Sequence, residues 1–184
     1  MRPDWLAIHQ ETALEPDMPI IDAHHHLWGE ARGRYLLEDF LADAGGGHDI
    51  RASVFIECDS FYRHGGNPLF HPVGEVEHVA AMAEQAAALG IPRVADGIVG
   101  FAELTAGAAV RPVLETMVEA GRGRFRGVRH IAAWHPDPAA RGSMATPPPM
   151  LLLDPSFRRG FAQLAPLGLS FDAWMYHTQL AELR

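Results

Sequence analysis

Asp22, His24 and His26 recur at every second position of the segment Pro19-Ile20-Ile21-Asp22-Ala23-His24-His25-His26-Leu27-Trp28, and Trp28 continues the rhythm. Residues two apart in a strand point to one face, so the carboxylate and the two imidazoles stand in line while His25 points the other way. Two neutral imidazoles at neighbouring heights can share a divalent ion at about 2.0–2.1 Å, or grip one substrate atom. Three histidines are too few for an affinity tag, and the apolar residues just upstream supply a strand to hold them. The segment therefore reads as a site, with Asp22, His24 and His26 as catalytic candidates and His24 and His26 as metal ligands.

The composition bounds what such a site can do. The chain has 184 residues, enough for one ordinary domain, and 48% of them are hydrophobic. A net charge of −8 argues against a nucleic-acid surface or an anionic membrane. Every one of the 15 basic residues is Arg, which excludes a Schiff-base lysine, a phosphate-loop lysine and a carbamylated-lysine metal bridge. Arginine's planar fork suits carboxylates, so Arg129, Arg126 and Arg63 are candidates for holding an anionic substrate. Cys58 is the sole cysteine, which fits a reducing cytoplasm. No signal peptide and no apolar run of membrane-spanning length is seen.

Around the site, the elements alternate. Residues 1–18, with Trp5 and Leu6 among prolines and charges, read as an extension, and residues 19–184 as one domain. Strands are expected near 19–26, 52–58, 95–103, 125–131 and 169–176. Helices are expected at 35–44, 73–89, 106–120 and 155–167, with another beginning at 178. Four βα repeats imply parallel strands, and the polar candidates gather at their C-terminal ends: His24, His26, Glu57, Glu103, Arg129, His130 and His177. This is the chemical face of a (β/α)8 TIM barrel, so the expected fold is α/β of that type with only about the first five βα units, a partial barrel. The chain reaches Arg184 within a helix-like segment that has no cap, which fits the front of a longer barrel. Open edges on strands one and five would then invite a partner, such as a second copy in a homo-oligomer.

Four ordered motifs carry a resemblance. Asp22-x-His24-x-His26-x-Trp28 resembles the first strand of the amidohydrolase-related, TIM-barrel metal-dependent hydrolases, in the branch of sugar and pyrone-dicarboxylate lactonases. Gly97-Ile98-Val99-Gly100-Phe101-Ala102-Glu103 resembles that branch's third strand, and Phe125-Arg126-Gly127-Val128-Arg129-His130 its fourth. Leu167-Gly168-Leu169-Ser170-Phe171-Asp172, followed by Tyr176-His177, resembles its fifth. The resemblance implies a divalent metal, Zn²⁺ first and Mn²⁺ as the alternative, on His24 and His26 with His177 as a further ligand. A metal-free mechanism, in which the histidines polarise the carbonyl directly, stays open. It implies hydrolysis of a lactone or similar cyclic ester, the substrate being a small anionic lactone or sugar acid. Glu57 and Asp22 would be acid/base or supporting groups, and Arg129, Arg63, Arg126, Trp28 and His130 substrate contacts.

Two other readings stand beside it. One is a related metal-dependent decarboxylase; the other is a catalytically inactive fragment or interaction module. The family's late-strand Asp is missing here, so this stretch alone is expected to show little turnover.

Overall fold

The computed structural model describes residues 8, 11–90, 93–142 and 146–183. Trp5, Leu6 and Arg184 lie outside the described residues, as do Ile91 and Pro92 at the expected close of the second helix. Five strands form one sheet: β1 Pro19–His25, β2 Asp49–Ile56, β3 Arg93–Gly100, β4 Phe125–Arg129 and β5 Ser170–Asp172. They lie in chain order and every neighbouring pair is parallel. The α-helices between them are α1 Leu37–Ala44, α2 Val73–Ala88, α3 Arg111–Ala120 and α4 Pro155–Phe161.

The local causes are visible in the residues. Asp39 reaches back to the Leu36 amide at 2.9 Å to start α1. Asp154 accepts from the Ser156 and Phe157 amides at 2.7 and 2.9 Å, and Pro155 follows, so α4 begins there. The core lies between helices and sheet: Val76, Val79, Ala80 and Ala83 of α2 pack with Phe55, Ile98 and Phe125 of the strands. At Gly100 an added Cβ would stand 3.0 Å from the Phe125 ring and 3.2 Å from Val76, a tight contact that these side chains would have to yield to. No described helix is long and apolar enough to cross a membrane.

The TIM-barrel assignment is corrected. The sheet is a curled, open, five-stranded all-parallel one, and its end strands do not pair with each other: β1 pairs only with β2 and β5 only with β4 among the described residues. Closing a barrel takes eight strands of matched length, whereas β5 is three residues long. Other boundaries shift with physical reasons. The helix expected over 106–120 divides, because Gly107 takes φ 62 and ψ −139 and leaves a 3-10 stretch, Leu104–Val110, before α3. The helix expected over 155–167 ends at Phe161 and resumes as a 3-10 turn at Ala165–Leu167, where Pro166 stands. After β5 the chain does not stay extended to Tyr176, and His177–Leu183 is 3-10 rather than α-helical.

Candidate functional site

Alternation along β1 places its histidines as the spacing demands. His24 Nε2 and His26 Nε2 face each other at 3.2 Å. His25 turns to the helical side, where its Nδ1 meets Val54 O at 3.0 Å and its ring lies 4.4 Å from that of Phe40. Asp22 serves the turn of the strand: its Oδ1 accepts from the His24 amide at 3.1 Å.

The protons on the pair follow from their partners. His26 Nδ1 is 2.8 Å from Ile56 O, and a carbonyl can only accept, so Nδ1 carries the proton. In neutral His26 the Nε2 lone pair is then free to accept from His24 Nε2–H. Burial holds His26 below the usual histidine range, against the Ile56 hydrogen bond, with the nearby His24 and Arg129 acting in the same direction as burial.

These two nitrogens fit half of a metal site. Two nitrogens about 2.0–2.1 Å from one tetrahedral ion stand ~3.3–3.4 Å apart, close to the contact seen. A backbone carbonyl on the far ring nitrogen is the support that orients ligating histidines. His177 does not join them. It is exposed at the start of the 3-10 segment after β5, and no three His, Cys, Asp or Glu among the described residues gather to hold an ion.

His26 opens into a cavity of about 580 Å³ that Glu57, Glu103, Arg129 and His130 also line, with Trp28, Tyr62 and Trp174 among its aromatic walls. Five of the polar strand-end candidates therefore meet in one place. At its floor lies a buried ion pair: Arg129 Nε donates to Glu57 Oε1 at 2.8 Å and Nη2 to the Glu57 backbone oxygen at 2.6 Å. The guanidinium carbon sits 4.6 Å from the Trp174 ring centroid, a cation–π arrangement that holds the fork flat. On the opposite wall His130 is buried, with Nε2 4.0 Å from Glu103 Oε1. Burial lowers its basicity, which Glu103 partly restores.

Two predicted substrate contacts lie elsewhere. Arg63 pairs with Glu77 on the surface, Nε to Oε2 at 3.0 Å. Arg126 is exposed and its Nη1 turns to the Phe125 carbonyl at 3.2 Å. Neither lines the cavity. Spacing alone does not separate these from Arg129, since each of the three follows a strand or sits in one.

Sequence reading passed over Glu75, in the Ala-rich helix α2. It is fully buried, and its Oε1 accepts from the Cys58 and Ser60 amides at 3.1 and 2.8 Å, while Oε2 makes no hydrogen bond. Burial pushes its carboxyl up to about 7. A Glu at a helical position that periodicity assigns to the core was the available signal.

No family model matches this chain, and no solved structure matches it. It is 31% identical over 188 aligned residues to the uncharacterized protein y4mH of Sinorhizobium fredii (strain NBRC 101917 / NGR234). That alignment covers 90% of this chain and 57% of the relative, so the chain spans somewhat more than half of the curated relative's length.

Proposed function

We propose that this chain is a hydrolase of the amidohydrolase-related kind, whose site opens a lactone or similar small cyclic ester with water. The observation that carries the reading is the His24–His26 contact, 3.2 Å between Nε2 atoms. It lies at the rim of a cavity of about 580 Å³, a size suited to a small ligand. Hydrolysis needs a group that polarises the acyl oxygen, a water and a base. A Zn²⁺ or Mn²⁺ ion held by His24 and His26 would supply Lewis acidity toward that oxygen. Without an ion, His24 Nε2–H can turn from His26 and donate to the same oxygen.

Arg129 fixes the ligand's other end. Its Nε and Nη2 are occupied by Glu57, and Nη1 forms no hydrogen bond among the described residues, so it is the donor for a carbonyl or carboxylate oxygen of an anionic lactone or sugar acid. Trp28 and Trp174 give apolar faces for a ring. We also place the protein in the cytoplasm: Cys58 is buried, and burial with Glu75 beside it pushes the thiol up to about 12, an inert group that needs no disulfide partner. The open edges of β1 and β5 are where a second copy of the chain would add.

The test is hydrolysis of dihydrocoumarin, gluconolactone and a pyrone-dicarboxylate lactone by the purified chain. Slow turnover of at least one is expected, as the missing late-strand Asp implies, and it should fall by about 100-fold or more in His24→Ala and in His26→Ala. Wild-type turnover that both variants retain would sink the reading.

A further inference from the structure

The two touching histidines open into different chambers. His26 lines the cavity of about 580 Å³, and His24 lines a second, wider-mouthed one of about 360 Å³ beside Asp172 and Met175. Arg129 and Trp174 line both, so the two chambers adjoin at these stacked side chains. The larger chamber has the aromatic walls that suit a ring. The smaller one is open to solvent and has a carboxylate at hand.

That carboxylate is Asp172. It closes β5, in register with Arg129 of β4, and directly paired residues on neighbouring strands project their side chains to the same side. Its backbone oxygen accepts from the Trp174 amide at 3.1 Å, which fixes the turn that carries Trp174 over Arg129. Its side chain is half-buried and forms no hydrogen bond or ion pair among the described residues. The other carboxylates near the pair are committed. Glu57 Oε1 is held by Arg129 at 2.8 Å, and Asp22 Oδ1 by the His24 amide at 3.1 Å. Glu103 accepts from the Thr105 amide at 3.2 Å.

We propose that Asp172 is the general base of the site, working from the His24 chamber, a role that rests on the hydrolytic reading above. Water enters the smaller chamber, and Asp172 takes one of its protons as the water oxygen bonds to the acyl carbon. The carbonyl π pair moves onto the acyl oxygen, on the side of the His24–His26 pair. When the adduct collapses, the bond from acyl carbon to ring oxygen breaks and the ring oxygen takes the proton from Asp172. Lactone and water have become one hydroxy acid, and Asp172 is a carboxylate again. Nothing is oxidised or reduced.

Asp172→Asn and Asp172→Ala test this with the full chain and dihydrocoumarin as probe. Asn should lower kcat by about 100-fold with KM within about twofold, because the ring is held in the other chamber. Added formate should restore part of the rate to Asp172→Ala, a response that a merely structural defect would not give. Wild-type kcat in Asp172→Asn, with turnover still dependent on His24 and His26, would overturn Asp172 as base and leave the hydrolytic reading intact. Absence of turnover in the wild-type chain would overturn both.

Discussion

His25 separates two histidines that face the site from the packed layer beneath, and its burial has a price in acid. Desolvation brings its pKa from 6.5 down to about 4, so folding favours the neutral ring. The stability this contributes is whole above pH 6.5 and is lost as pH falls toward 4. Glu75 works in the opposite sense. Burial raises its carboxyl from 4.5 to about 7, so its protonated form is the one folding favours, and stability is lost as pH rises from 4.5 to 7. The two slopes oppose each other, while His26, His78 and His130, also lowered by burial, add to the His25 slope. Relative to the wild-type profile in urea denaturation, His25→Asn, which keeps a donor for Val54 O, should tilt stability toward a fall with rising pH; Glu75→Gln should tilt it toward a rise. Each change is on the order of 3 kcal/mol across its window. Profiles parallel to the wild type in both variants would contradict the burial argument. The β1 histidines were legible in the sequence because alternation needs only their neighbours. Glu57 and Arg129 were legible as strand-end residues but not as partners, since 72 positions separate them. Nothing local distinguishes Arg129 from Arg63 or Arg126, which ended on the surface.

The loop leaving β2 shows how one element shapes the site. Asp59 and Phe61 both take left-handed backbone, at φ 57 and 58, an arrangement that non-Gly residues adopt only when held. Glu75 holds it through the Cys58 and Ser60 amides, and Gly74 lets it approach. A Cβ on Gly74 would stand 2.5 Å from Phe61 O and 2.6 Å from the Arg63 amide, both backbone atoms that cannot swing away. Gly74→Ala should therefore push the loop outward, costing about 2–3 kcal/mol. It should also reduce turnover, because Asp59 and Tyr62 of that loop line the cavity. Gly142→Ala, where the added carbon meets nothing within 4 Å, should change stability by less than about 0.5 kcal/mol. Thermal denaturation of the two variants side by side checks this, and equal stabilities would contradict it. The helix carrying Gly74 was legible from its start at Val73, since an Ala- and Glu-rich run with apolar spacing leaves little else to form. The helix over 106–120 was not, because its break depends on the sign of one glycine's φ, which composition does not set.

At the scale of the molecule, the parallel sheet was legible from strand–helix alternation, and its open edges from a count of five strands where closure takes eight. The shortness of β5 was not legible, because its length is set by pairing with β4, whose ladder ends at Arg129, and periodicity does not report that contact. What the open sheet preserves is the gathering of strand C-terminal ends: His26 just past β1, Glu57 after β2, Glu103 after β3, Arg129 at the end of β4, and Trp174 just past β5 line one cavity. In the proposed reaction His24 and His26 act on one substrate atom as a unit. A double-mutant cycle on lactone hydrolysis tests it most directly, comparing kcat/KM for His24→Ala, His26→Ala and the double variant. Residues that act as a unit are non-additive, so each single change should cost nearly as much as both together. Losses that multiply in the double variant, as for two independent residues, would contradict the claim.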